Sequence, residues 1–116
     1  MALSGTIAER VLVEPNPERR KEPRYKVDLR GWLQVGPEQV EVRIDDLSSS
    51  GALIFMNSPP LCGTRAELRI EDFGGLSVDV MRSGHCFCGV AFCNPAADRE
   101  RLLDWLLHEA KSRVIA

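Results

Sequence analysis

The chain has 116 residues, of which 44% are apolar and 28% charged, the balance of one folded domain rather than of a disordered or fibrous chain. Its net charge of −2 argues against the whole-surface basic field that drives non-specific nucleic-acid binding. No apolar run approaches the ~20 residues of a membrane-spanning helix, and the N-terminal residues lack a basic start followed by an apolar stretch, so the expectation is a cytoplasmic protein with no cleaved signal.

Residues 1–18 read as a flexible tail. Glu14-Pro-Asn-Pro-Glu18 cannot continue a helix or enter a central strand, which leaves room only for a short helical turn around Ile7–Val13. Arg19-Arg-Lys-Glu-Pro-Arg24 follows as a dense basic segment and opens the domain, expected over residues 19–112. From Tyr25 the hydrophobic pattern has period two. Val27, Leu29, Leu33 and Val35 share one parity, Gly36-Pro-Glu38 is a turn, and Val40, Val42 and Ile44 form a second alternating run. Leu47-Ser-Ser-Ser-Gly51 interrupts that run, and Ala52–Met56 forms a third strand. After the loop Asn57–Gly63, Ala66/Leu68/Ile70 and Leu76/Val78/Val80 alternate, with Gly74-Gly75 as the hairpin turn between them. Cys86, Cys88, Val90 and Phe92 make the sixth set.

Six short strands at roughly ten-residue spacing suggest an all-β barrel or sandwich, and closure into a barrel would remove the unpaired edges of such strands. The period changes after Asn94-Pro95, with Asn94 as cap and Pro95 at the first helical position. Leu102, Leu103, Leu106, Leu107 and Ala110 follow helical spacing, so a helix over about Ala96–Ser112 should bury its leucines on the sheet, anchored by Trp105. Cys62, Cys86, Cys88 and Cys93 match no common zinc spacing and read as buried structural thiols. Of the two histidines, His85 lies in a turn-to-strand context with no paired acid suggested and His108 takes a solvated or edge position on the C-terminal helix; no nucleophile elbow, Gly-rich phosphate loop or metal motif is present, so catalysis is not expected.

Two constellations could carry function. Arg20 and Arg24 lie four apart around Pro23, within a stretch that also holds Arg19, Lys21, Lys26 and Arg30. A basic run is usually a solvated face, but the guanidinium fork suits phosphate and the O6/N7 edge of guanine. Asp46-Leu-Ser48-Ser-Ser-Gly51 sets an acceptor, a hydroxyl and a glycine between two apolar strands. By itself that is an ordinary turn; its other use is to accept from ligand N–H groups and to hold phosphate.

In this order and separation, Arg20-x-x-x-Arg24 and Asp46-x-Ser48-x-x-Gly51 resemble the paired RxxxR and [D/N]xSxxG motifs of the PilZ domain family. Gly89-Val-Ala-Phe92 and the leucine-rich helix resemble that family's last strand and closing helix. The resemblance implies a mainly β fold: a six-stranded antiparallel barrel with a C-terminal helix, in a bacterial receptor for cyclic di-GMP. It implies that Arg20 and Arg24 grip phosphates and guanine from a mobile loop, that Asp46 reads the guanine edge, that Ser48 offers a hydroxyl and that Gly51 permits a tight turn. Arg19, directly before the first motif, is associated in that family with binding an intercalated dimer of the ligand. It implies no cofactor beyond that ligand, a downstream protein partner and a monomer or weak homodimer. The competing readings are a PilZ-like interaction module that binds no nucleotide, an enzyme and a nucleic-acid-binding barrel, for which Tyr25 and Trp32 are the aromatics near the basic run.

Overall fold

A computed structural model describes residues 23–115 of the chain. The expected tail over residues 1–18 and the arginines Arg19 and Arg20 lie outside the described residues. Six strands follow in order: β1 Arg24–Val35, β2 Glu38–Ser48, β3 Gly51–Phe55, β4 Arg65–Ile70, β5 Gly74–Ser83 and β6 Phe87–Phe92. They pair antiparallel in the order β1-β2-β3-β6-β5-β4, and β4 returns to β1 to close a barrel. Closure leaves every strand with two neighbours, so strands of five or six residues survive without a bare edge.

Alternation fills the barrel. Leu29, Leu33, Ile44, Leu47, Ile54, Leu68, Ile70, Leu76, Val78, Val80 and Cys88 are all buried, while the residues between them face out or lie in part under neighbours. A helix, α1 Ala96–His108, buries Leu102 and Leu106 completely in the same core. Trp105 stacks at a tilt on Phe73 of the β4–β5 turn, with ring centroids 5.3 Å apart, and so ties the helix to that end of the barrel.

Several local expectations are corrected. The β4–β5 turn is Glu71–Phe73, closed by the Phe73 amide donating to the Ile70 carbonyl at 3.0 Å, with Asp72 in the left-handed region at φ 70°. Gly74 and Gly75 already belong to the ladder, opposite Ile70 and Arg69. Aspartate takes the left-handed position because its short side chain tolerates it. Asn94 does not cap α1. Pro95 occupies the cap position, and the Asn94 side-chain oxygen instead accepts from the Ser77 amide at 2.8 Å, pinning the helix entry to β5. The helix stops at His108 rather than Ser112: the amides of Glu109 and Ala110 both donate to the Trp105 carbonyl, and a 3-10 turn Lys111–Arg113 redirects the chain. Val114 then bridges Val27, and the Ile115 amide donates to the Lys26 carbonyl at 2.7 Å. Of the cysteines only Cys88 is buried. Cys62 and Cys93 are exposed and donate to the Met81 carbonyl and the Asp79 carboxylate, and Cys86 is exposed just before β6 rather than inside it.

Candidate functional site

The second motif is built around the β2–β3 turn. Up to Ile44, strand β2 alternates with Val42 and Ile44 inward, so regular alternation would also turn Asp46 into the core. The register shifts between Ile44 and Asp46, where two residues of β2 oppose a one-residue step of β3 from Ile54 to Leu53. This β-bulge inverts the parity: Leu47 is fully buried and the Asp46 carboxylate reaches the surface with 17% of its side chain exposed. An ionised carboxylate buried without a partner would cost several kcal/mol, at least ~3 by typical values, so the bulge is what makes aspartate tolerable here.

Ser48 is buried at 6% exposure, and its hydroxyl faces its own turn. The Ser50 and Gly51 amides donate to Ser48 Oγ at 3.2 and 3.3 Å, which fixes the tight reversal into β3. Gly51 is needed for a different reason than the expected one. Its φ is not positive; a methyl group on it would stand 2.1 Å from the Val90 carbonyl oxygen of β6. The glycine allows β3 and β6 to meet, with the Phe92 amide donating to the Ser50 carbonyl at 2.8 Å alongside.

Arg24, the second arginine of the first motif, opens β1 opposite Ser48. Its guanidinium Nη1 lies 3.9 Å from Asp46 Oδ2, with 76% of its side chain exposed. Such an exposed pair is worth at most about 1 kcal/mol and exchanges partners readily. Among the described residues the other two cations of the basic run are paired on the barrel wall: Lys26 with Asp45 at 3.4 Å, and Arg30 with Glu71 at 3.0 Å while lying over Trp32. Trp32 is thereby covered on one face and half-buried, a wall residue rather than an open stacking platform.

Arg24, Asp46, Ser48 and Gly51 converge on one cleft of about 240 Å³. Its far side is formed by Met81 and Arg82 of β5 and by Gly89, Val90 and Ala91 of β6. Met81 and Arg82 escape a reading by alternation because they sit on another bulge, between Val80 and Arg82. The break in the pattern after Val80, where an exposed methionine is followed by an arginine at a core parity, is the signal that would have marked them. Among the described residues no group of three or more His, Cys, Asp or Glu side chains is placed to hold a metal ion.

The fold is a small closed β-barrel with a surface cleft whose charged lining is Arg24, Arg82 and the Asp46 carboxylate. The chain belongs to the PilZ domain family, whose model matches residues 18–109. That family is one of cyclic di-GMP receptors. The barrel superimposes on the PilZ domain of CeSA from a cellulose-synthesizing bacterium with a TM-score of 0.64 at 21% identity, over 74% of this chain and 99% of that one. It is similar to the PilZ domain of Escherichia coli YcgR with cyclic di-GMP (TM-score 0.59, 18% identity, 81% of this chain and 95% of that one). It is also similar to the Klebsiella pneumoniae MrkH–cyclic di-GMP complex (TM-score 0.60, 18% identity, 81% of this chain and 55% of that one), so the chain spans about half of MrkH. Comparison of the sequence with curated proteins gives no match. No helix among the described residues is long and apolar enough to cross a membrane.

Proposed function

We propose that this PilZ domain binds cyclic di-GMP in the cleft between Arg24 and Arg82, and that binding draws the arginine segment Arg19–Arg24 over the barrel face and changes a surface read by a partner protein. The single observation that carries this reading is the convergence of Arg24, Asp46 and the Ser48–Gly51 turn, remote in sequence, on one cleft. Asp46 is an acceptor-only carboxylate, the complement of a guanine edge that presents N–H donors. Its present partner is the exposed Arg24 guanidinium at 3.9 Å, a contact that costs little to give up. A guanine takes the carboxylate and a ligand phosphate takes the released arginine, so a weak internal ion pair is replaced by charge-assisted bonds on both partners. Arg20 and Arg19 add phosphate or guanine contacts from the preceding segment. Ordering that segment costs about 1–2 kcal/mol per residue fixed, so the closure needs several arginine contacts together. The chemistry is recognition without bond cleavage, and the ligand is released intact.

Isothermal titration of the full chain with cyclic di-GMP, against GTP and cyclic AMP as controls, tests the reading. Selective binding at micromolar or tighter affinity is expected, with a loss of about 100-fold in Asp46→Ala and Arg24→Ala while circular dichroism stays that of the wild type. Two ligands per chain is the stoichiometry that Arg19 calls for, and one per chain removes that role. Full affinity in both variants would show that the site is elsewhere. No binding by folded wild-type protein would leave the nucleotide-independent interaction module as the function.

A further inference from the structure

We propose that the apolar N-terminal segment Ile7–Val13 of this same chain docks on the outer face of β3 and β6, over Phe55, Phe87 and Cys86. The proposal goes beyond the receptor reading and needs no nucleotide. Outward positions on β1, β2 and β4 carry charge, as in Arg30, Glu41, Arg43, Glu67 and Arg69. Those of β3 and β6 carry none: Gly51, Leu53 and Phe55 stand opposite Ala91, Gly89 and Phe87, three cross-strand pairs without a polar side chain. The Gly51–Ala91 end of this face belongs to the cleft already described. The Phe55–Phe87 end adjoins a separate shallow groove of about 430 Å³, lined by Phe55, Met56 and Cys86 with Glu41 and Arg43 at its rim. Phe55 is 41% exposed there. Exposed apolar side chains gathered in one place mark a contact surface. Both strands already have two neighbours in the closed barrel, so an occupant cannot add as a further strand and docks through side chains.

The occupant follows from where the described chain begins. Arg24 lies opposite Ser48 at the cleft, level with the Gly51 end of this face, and residues 1–22 precede Pro23. Glu14–Pro23 is ten residues, a reach of up to roughly 33 Å when extended. The groove is four residues along β3, about 13 Å, and three strand spacings from β1 to β6, about 14 Å, so the segment reaches it with length to spare. Its sequence fits such a face. At helical spacing Ile7, Ala8, Val11 and Leu12 fall on one side and Glu9, Arg10 and Glu14 on the other, with Thr6-x-x-Glu9 as a capping box and Pro15 as a stop. Two turns of helix are unstable alone in water, so that apolar side needs a surface to bury it. The charges agree as well. Glu41 at the rim pairs with Arg30 at 3.8 Å, but Arg30 lies nearer Glu71 at 3.0 Å, which leaves Glu41 open to Arg10.

The test reads thiol accessibility in the full chain without nucleotide. Cys86 lines the groove, whereas Cys62 and Cys93, also exposed, lie outside it. Iodoacetamide labelling read by mass spectrometry compares wild type with Ile7→Asp/Val11→Asp, which breaks the apolar side at two positions. Cys86 should label about fivefold or more faster in the double variant, with Cys62 and Cys93 unchanged. In the reciprocal variant Phe55→Ser, hydrogen exchange should quicken at the amides of residues 7–13. An unchanged Cys86 rate overturns the docking. Acceleration of all three thiols together also overturns it, since the segment would then support the barrel as a whole rather than this face. Sedimentation of the wild type decides the other occupant: a monomer is expected, and a dimer that Phe55→Ser dissociates assigns the face to a second copy of the chain and overturns the proposal. No nucleotide enters these assays, so their failure leaves the cyclic di-GMP reading standing, and failure of that titration leaves this docking standing.

Discussion

Gly51→Ala separates what the second motif does for the fold from what it does for the ligand. The added methyl carbon would sit 2.1 Å from the Val90 carbonyl oxygen, more than 1 Å inside ordinary contact, and the obstacle is backbone rather than a movable side chain. The strain can be relieved only by parting β3 from β6, where Gly51 pairs with Ala91 and the Phe92 amide holds the Ser50 carbonyl at 2.8 Å. Forcing an extra carbon into a packed contact costs about 1–3 kcal/mol and losing the hydrogen bond adds about 1 kcal/mol, so a total near 3 kcal/mol is expected. At about 4–8 °C per kcal/mol for a domain of this size, the melting temperature should fall by about 12–24 °C in a circular dichroism melt. Gly36→Ala is the comparison. Gly36 has φ 58° but nothing within 4 Å of an added methyl, so only the backbone preference, about 1 kcal/mol, is lost there. If Gly51→Ala melts no lower than Gly36→Ala, close approach of β6 is not why a glycine stands at the end of the motif.

Ser48→Ala removes the acceptor of the Ser50 and Gly51 amides and should cost about 1–2 kcal/mol, read locally as faster hydrogen exchange at those two amides. Asp79→Asn tests the outer wall. The Arg65 guanidinium, then the Cys93 thiol, holds the Asp79 carboxyl below its ordinary range. A carboxyl with a lowered folded-state pKa stabilises above its unfolded value, about pH 4, and that contribution disappears as the pH falls below it, so the melting temperature of Asp79→Asn should decline less steeply than that of wild type between pH 5 and 2. Partial burial, then Asp79, pushes the Cys93 thiol up, so the same variant should alkylate faster at Cys93 at pH 8, read by mass spectrometry of iodoacetamide-treated protein.

Most of the barrel was legible because alternation is a local signal. Each strand shows its inward residues at period two, and Leu102 and Leu106 show the helix at period 3.6. The misreadings fall where a choice between local options is made by tertiary contacts. Gly74-Gly75 is the stronger turn signal in isolation, yet the ladder with Arg69 and Ile70 pulls both glycines into β5 and leaves Asp72 to turn the chain. Asn94 is a sound cap by type, but the Ser77 amide needs an acceptor and takes its side chain. No glycine or proline stops α1 at His108; the pairing of Val114 with Val27 does, and nothing near the helix records a partner nearly ninety residues away.

The candidate site shows the same division more sharply. Its motif residues were readable by resemblance, whereas the reason they can serve lies in the failures of alternation. Val42-x-Ile44-x-Asp46 and Val78-x-Val80-x-Arg82 are the same sentence in two strands: two buried aliphatics followed, at the same parity, by a charged residue. In a regular strand each charge would be driven into the barrel, a placement that no fold of this size would tolerate without a partner. Each strand instead takes on one extra residue at that point and turns the charge out onto the same cleft. The bulges therefore place a carboxylate on one wall and a guanidinium on the other from positions that the hydrophobic pattern assigns to the core. The register shift in β1, between Lys26 and Leu29, lies beyond Arg24 and leaves Val27, Leu29 and Leu33 inward at one parity, so Arg24 reaches the cleft as an exposed residue of an ordinary alternation. A barrel with perfect alternation would turn both charges inward; the cleft carries them because β2 and β5 depart from alternation at Asp46 and Arg82, beside an Arg24 that regular alternation already leaves outside.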